Sequence, residues 1–465
     1  MENQEIIQSQ YIESAAEKLR AIERERGAKL RACVVTFGCQ MNAKDSEKLR
    51  GILAAAGFLL CESEEEADFI LYNTCTVREN ADQHVYGRLG YVTSLKKKNP
   101  DLIVGLCGCM MQEEHVVAKI RRSYPAVNLI FGTHNLFTFP QLLDRVLTEK
   151  KRVIDLWSGT DEIVEHLPSV RKYPFKAGVN ITFGCNNFCS YCIVPYVRGR
   201  ERSRDKAEIL SEIRALAADG VKEIMLLGQN VNSYGKTFDP PVSFASLLRE
   251  AARTDGIERV RFMTSHPKDL SGDLIRVMAE EPKVCRHLHL PVQSGSTRIL
   301  SAMNRRYTRE HYLELVDRIR TAVPDISLTT DIIVGFPGET EEDFQDTLSL
   351  VPACGFDSAF TFLYSKRTGT PAAEMENQVP EDVAHERFER LLAAVKETGE
   401  ARSSRFLGQT MDVLVEEENR EPGLVTGRIS QNLTVHLKGD PSLIGQIVPV
   451  RLTECRGFYY FGEQV

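Results

Sequence analysis

The stretch Val179-Asn180-Ile181-Thr182-Phe183-Gly184-Cys185-Asn186-Asn187-Phe188-Cys189-Ser190-Tyr191-Cys192 decides the fold of this chain. Val179 to Phe183 reads as a β-strand, and a Cys-x3-Cys-x2-Cys pattern follows it directly. A strand that passes chemistry to the loop at its carboxyl end is typical of (β/α) barrels, whose active sites gather at that face. Outward from it, strands are expected near Glu223 to Leu227, Arg259 to Thr264, His287 to Leu290, Ser327 to Val334 and Ala359 to Tyr364, alternating with helices. Six strand and helix units exceed a single mononucleotide fold and fit a six-unit open barrel. A zinc site would want a fourth protein ligand, and Ile193 to Arg204 contains neither His nor Cys. Three thiolates suit a four-iron four-sulfur cluster that leaves one iron open for a small molecule. Three structural or zinc-binding cysteines are the alternative.

Upstream, short apolar strands at Ala32 to Phe37, Phe69 to Asn73, Leu102 to Leu106 and Asn128 to Phe131 alternate with helices, which implies a parallel α/β sheet. Cys39, Cys75 and Cys109 each follow one of these strands. Loops at the carboxyl ends of parallel strands share one edge of the sheet, so the three thiols can converge on a second cluster or remain unrelated buried cysteines. Cys107 precedes Cys109 by two residues and would share its strand face if the strand continued, so spacing alone does not choose between them. Cys33, Cys61, Cys285, Cys354 and Cys455 stand in apolar or helical settings and read as core.

The remainder divides by pattern into five parts. Residues 1–27 form a helical extension with Ile7, Tyr11, Ile12, Ala15, Leu19 and Ile22 at helical spacing. Residues 28–150 read as an N-terminal α/β domain, 151–170 as a polar linker and 171–402 as the barrel, closed by a long helix from Pro380. Residues 403–465 read as a small barrel of five short strands punctuated by Gly and Pro.

Composition bounds the reading. The 465 residues are 42% hydrophobic and 26% charged, which is globular, and no apolar run approaches the roughly 18 residues of a membrane span. The first residues lack a basic start and an apolar stretch, so a cytoplasmic protein is expected. In that reducing compartment the 12 Cys point to metal or chemistry rather than disulfides. The net charge of -7 argues against a generally basic nucleic-acid binder. One local strip runs the other way: Arg198, Arg200, Arg202, Arg204 and Lys206 stand against Glu201 and Asp205, a net +3. Such a strip could grip RNA phosphates or be a solvated loop with internal ion pairs.

Taken together, Gly184-Cys185-Asn186-Asn187, Val194-Pro195-Tyr196-Val197-Arg198-Gly199-Arg200-Glu201-Arg202-Ser203-Arg204, Leu227-Gly228-Gln229-Asn230-Val231-Asn232-Ser233-Tyr234 and Ser265-His266-Pro267 resemble the methylthiotransferases of the radical S-adenosylmethionine (SAM) superfamily. The resemblance covers Arg31 to Gln464 and implies an α/β protein with an N-terminal parallel α/β cluster domain, a partial (β/α)6 radical SAM barrel and a C-terminal TRAM β-barrel. Met111 departs from the small residue usual in the family, and residues 1–27 lie outside the shared region.

The resemblance implies that Cys185, Cys189 and Cys192 hold the radical SAM cluster and that Cys39, Cys75 and Cys109 hold an auxiliary four-iron four-sulfur cluster. No protein side chain is implied as catalytic. The implied activity is methylthiolation at C2 of N6-isopentenyladenosine at position 37 of tRNA, with one SAM as methyl donor and another as radical source. Tyr191, Gly228, Gln229, Gln293 and Gly335 are candidates for binding SAM, and Arg198, Arg200, Arg202 and Arg204 for RNA. Expected partners are the tRNA anticodon stem-loop and a low-potential electron donor such as flavodoxin or ferredoxin, with no membrane and a monomeric chain. The rival substrates are an aspartate of ribosomal protein S12 and threonylcarbamoyl-adenosine in tRNA. A zinc-stabilised RNA-binding protein without catalysis is the rival of another class.

Overall fold

The computed structural model describes residues 4–76, 81–149 and 151–465. The chain forms two compact units. One comprises Met1–Lys172, Phe183–Asn186 and Ile193–Arg202; the other comprises Tyr173–Thr182, Asn187–Cys192 and Ser203–Val465.

The first unit is built on six parallel strands: β1 (Arg31–Thr36), β2 (Leu59–Leu60), β3 (Phe69–Thr74), β4 (Ile103–Gly108), β5 (Leu129–Phe131) and β6 (Val153–Asp155), in the order β2-β1-β3-β4-β5-β6. The central strand β3 explains the layering. Its Phe69 and Leu71 enter one core with Leu49, Ile52, Phe139 and Leu142, while Ile70 and Tyr72 enter another with Val85, Leu89, Val116 and Ile120. A strand apolar on both faces needs helices on both faces. They are α1 (Gln4–Arg26), α2 (Gln40–Ala56), α3 (Ala81–Lys98), α4 (Glu114–Ser123) and α5 (Phe139–Thr148).

The expected N-terminal helix is present from Gln4, and its residues 1–3 lie outside the described residues. It docks through buried Ala15 and Leu19, with Lys18 Nζ 2.7 Å from Asp144 Oδ1.

Two strands of this sheet escaped the sequence reading. The two residues of β2 are too few to show a period. β6 lies in the segment 151–170 expected as a linker, and that expectation is corrected: Val153–Asp155 pairs with β5, and Val170 N donates to Glu47 O at 2.9 Å. Charged neighbours hide this short apolar run from a periodicity argument.

In the second unit, Lys176–Asn180, Glu223–Leu227 and Arg259–Phe262 form one parallel half-sheet, and His287–His289, Ser327–Val334 and Ser358–Leu363 form another. Helices Lys206–Ala218, Phe244–Ala252, Gly272–Glu280, Arg309–Ala322 and Glu341–Cys354 intervene, and Glu381–Ser403 follows. This is the open six-unit barrel that the strand count implied. Thr410–Glu418, Leu424–Arg428, Thr434–Lys438, Ile447–Arg456 and Tyr459–Gln464 close into a five-stranded barrel around Val413, Val425, Val435 and Val450.

Buried arginines on the strand Arg259–Phe262 tie the two parts of this unit together. Arg261 Nη1 and Nη2 donate to Ser430 O and Ile429 O, both at 2.9 Å, and its Nε lies 3.0 Å from Glu223 Oε2. Arg259 donates to Arg428 O at 2.8 Å and to Asp412 O at 2.6 Å. Arg261→Ala would leave a buried carboxylate and two carbonyls without their donor, at a cost of about 3–5 kcal/mol. The urea midpoint should fall accordingly, and an unchanged midpoint would contradict this account of the seam.

Candidate functional site

Carboxyl ends of β1, β3 and β4 deliver Cys39, Cys75 and Cys109 to the same edge of the first sheet. Gly38, at φ 114°, passes so close to Cys75 that an added Cβ would lie 2.4 Å from its Cβ and 2.7 Å from its Sγ. Asn42, in the first turn of α2, donates from Nδ2 to Phe37 O and Thr74 O at 2.9 Å each. Those two bonds aim its Oδ1 at the thiols, 4.0 Å from Cys39 Sγ and 3.9 Å from Cys109 Sγ. Burial pushes the Cys109 thiol up to about 12; Arg198 pulls it down, and Cys75 and Cys39 add to the rise. Such a sulfur favours the thiolate only beside a concentrated positive charge, as a metal centre provides. Among the described residues no three His, Cys, Asp or Glu side chains stand close enough to share one metal ion. Three cysteines on one sheet edge, two of them facing the same Asn42 oxygen, are the donor type that a four-iron cluster takes.

Cys107 does not belong to this group. Gly108 breaks the strand face between the two cysteines with φ 96°, in the glycine-favouring region. Cys107 therefore points into the core beside Leu71 and Leu129, while Cys109 opens a 3-10 turn and packs against Ile193 and Val197.

In the second unit, Arg305 lies 3.5 Å from Cys189 Sγ through Nη1 and donates to Pro291 O at 2.7 Å through Nη2. Ser190 is pinned on both sides, its N donating to Met303 O at 3.1 Å and its O accepting from Ala372 N at 2.8 Å. Tyr191 is half-buried against Ile299, Met303, Phe336 and Ala372. Gly228 ends its strand so close to Thr182 that an added Cβ would lie 2.3 Å from Oγ1, and Gln229 beside it is half-buried. Gln293 is buried at φ 73°, its N donating to Asp331 O at 2.8 Å, and Gly335 N donates to Glu339 Oε1 at 3.1 Å.

Sequence reasoning missed a set of polar groups at the same strand ends. Asn180 Nδ2 and Oδ1, Thr182 Oγ1, Asn232 Nδ2 and Oδ1, Ser265 Oγ and His266 Nε2 are buried with no hydrogen-bond partner among the described residues. Buried orphans are costly without a ligand to satisfy them, so this carboxyl end of the barrel fits a polar small molecule such as SAM. His266 remains a neutral ring there, since burial, then Arg305 and Lys268, push it well below its usual value. The signal was available: Asn180 is a polar residue closing an apolar strand, and Asn232 and Ser265-His266 lie in runs quoted above for resemblance alone.

The basic strip does not survive as a surface. Arg198 is buried, donating from Nε to Cys109 Sγ at 3.2 Å and from Nη2 to Asn42 Oδ1 at 2.5 Å and Asp45 Oδ2 at 3.0 Å. Arg204 is also buried and donates to Glu212 Oε2 at 2.7 Å and to Asn180 O at 2.6 Å. Both were expected to meet RNA, and both are corrected: each charge is neutralised inside the protein. Arg202 is half-buried and donates to Glu162 O at 2.9 Å, and Arg200 is exposed.

Three known domain families match the chain: the Radical SAM superfamily over residues 179–351, the uncharacterized protein family UPF0004 over 31–132 and the TRAM domain over 404–465. The structure also resembles, with a TM-score of 0.53 and 15% identity over 86% of this chain and 80% of the other, the radical S-adenosylmethionine methyltransferase TsrM of Kitasatospora setae; that likeness concerns the fold alone. Barrel, cysteine loop and domain matches together define a radical SAM enzyme.

The tRNA-2-methylthio-N(6)-dimethylallyladenosine synthase of Lachnoclostridium phytofermentans is 61% identical over 96% of this chain and 98% of its own length. That of Alkaliphilus oremlandii is 55% identical over 95% and 94%. The chain belongs to the family of tRNA-2-methylthio-N(6)-dimethylallyladenosine synthases.

The two strand-end cysteines make a sharp comparison. Cys107→Ala should leave the iron content of the anaerobically reconstituted protein unchanged, because a buried thiol behaves as a small apolar group. Cys109→Ala should lose about half the iron. Equal loss in both variants, or the reverse order, would contradict the placement.

Proposed function

We propose that the chain transfers a methylthio group to C2 of N6-isopentenyladenosine at position 37 of tRNA. Cys185, Cys189 and Cys192 would hold the radical SAM cluster, and Cys39, Cys75 and Cys109 the auxiliary cluster. When bound, the clusters and SAM supply the hard chemistry: reductive cleavage to a 5′-deoxyadenosyl radical, removal of hydrogen from C2 and provision of the methylated sulfur. The protein's part is to bind and orient. Arg305 holds Cys189 through its sulfur, and the pinned Ser190 backbone fixes the loop between Cys189 and Cys192. The orphaned Asn180, Thr182, Asn232, Ser265 and His266 groups offer donors and acceptors to SAM, with Tyr191, Gly228, Gln229, Gln293 and Gly335 beside them at the strand ends. Burial of Cys75, Cys109, Cys185 and Cys189 excludes water, which a carbon radical requires.

One observation carries the reading: Cys39, Cys75 and Cys109 follow three adjacent parallel strands in a chain that matches this family along 96% of its length. Substrate tRNA is bound with the help of the TRAM barrel, although that barrel carries six Lys or Arg against eight Asp or Glu. Of the arginines in the basic strip, Arg200, exposed, and Arg202, half-buried, would meet phosphate. A low-potential donor such as flavodoxin or ferredoxin would supply electrons to a monomeric, cytoplasmic enzyme. No helix among the described residues is long and apolar enough to cross a membrane.

Reduced enzyme given SAM and tRNA bearing isopentenyl-adenosine should form the methylthio nucleoside, read by nucleoside mass spectrometry. Product only from threonylcarbamoyl-adenosine tRNA or ribosomal protein S12 would overturn the substrate assignment. In a second experiment, Arg200→Ala with Arg202→Ala should weaken tRNA binding and flatten its salt dependence. SAM cleavage without tRNA should stay unchanged; an unaltered salt slope would remove both residues from the RNA interface.

A further inference from the structure

Arg198 follows Cys192 by six residues, yet its guanidinium is buried beside the other cysteine set. Its Nε meets Cys109 Sγ at 3.2 Å, and its Nη2 meets Asn42 Oδ1 at 2.5 Å and Asp45 Oδ2 at 3.0 Å. The same Asn42 oxygen lies 4.0 Å from Cys39 Sγ and 3.9 Å from Cys109 Sγ. One buried cation is thus divided between a cysteine sulfur, an amide that faces two cysteines, and a carboxylate. An ion pair serving only stability would not need the sulfur contact. The placement is also directional, because the planar fork aims its Nε–H at the thiol and its Nη2 at Asn42 and Asp45.

We propose that Arg198 is a positioning residue for the auxiliary cluster, setting how readily it accepts an electron; this rests on the assignment of Cys39, Cys75 and Cys109 as its ligands. Reduction by one electron makes a cluster more negative. A positive charge and an N–H donor at a ligating sulfur stabilise that form more than the oxidised one, and so raise the reduction potential. Asp45 acts in the opposite sense by drawing off part of the Arg198 charge.

The test uses full-length protein carrying Ala at Cys185, Cys189 and Cys192, reconstituted anaerobically so that only the auxiliary site is filled. Iron is counted, and the cluster is titrated with dithionite as electron donor and followed by electron paramagnetic resonance. About four irons are expected. Adding Arg198→Gln should move the midpoint to more negative potential, Arg198→Lys should move it less, and Asp45→Asn should move it to more positive potential. Absence of iron in the starting protein would remove the ligand assignment and the inference with it. Four irons with an unmoved midpoint in Arg198→Gln, or shifts of the same sign in Arg198→Gln and Asp45→Asn, would overturn the inference alone. Should Arg198→Gln fail to hold iron, Asp45→Asn decides: a positive shift upholds the role and an unmoved midpoint overturns it.

Discussion

Parallel strands all end on the same side, and the meeting of Cys39, Cys75 and Cys109 depends on that constraint. In the first unit, β1, β3 and β4 are adjacent and in register, so cysteines separated by 36 and 34 residues of chain need only a short turn each to reach a common edge. The strands themselves are apolar on both faces and buried by helices, which makes the edge rigid. A cluster ligand displaced by a fraction of an ångström is a poorer ligand, so rigidity of the sheet becomes accuracy at the sulfur. The barrel of the second unit uses the same geometry, and its unsatisfied amides and hydroxyls stand at the corresponding ends of its first three strands.

Burial sets the second demand. Thiols held away from water resist ionisation, and the rise at Cys109 expresses that resistance. The protein answers with buried arginines: Arg198 at Cys109, Arg305 at Cys189. Burial works against the charge of Arg198, but Cys109, Asp45 and Cys39 outweigh it and hold its pKa above the ordinary value. Each arginine is fixed by further contacts, so the charge stays where the sulfur needs it.

Much of this was legible in the residues. The Cys185 to Cys192 spacing, the six barrel units and the five C-terminal strands could be read from apolar runs and turn residues, because long repeated patterns average out local ambiguity. Elements of two or three residues, such as β2 and β6, carry no period to read. The arginine strip misled for a different reason. Charge counted along a sequence assumes a solvated face, whereas Arg198 and Arg204 turn inward to partners at Asp45 and Glu212 that lie far away or on a following helix. Convergence of Cys39, Cys75 and Cys109 was permitted by topology, but only three-dimensional placement separates Cys109 from Cys107, since the reversal at Gly108 is a matter of backbone angle.

The seam made by Arg259 and Arg261 bears on how the C-terminal barrel can be handled. Its five strands form a closed cylinder with its own core, and by sequence it resembles a cassette that could be cut off or exchanged. The arginines contradict that appearance. Four of the carbonyl oxygens they hold belong to the terminal barrel, at Asp412, Arg428, Ile429 and Ser430. A cut near Ser403 would expose two cations shaped to fit a missing wall, and a transplanted cylinder would have to present the same four backbone oxygens. The boundary that appears cleanest in the primary structure is therefore a poor place for a truncation or a chimaera.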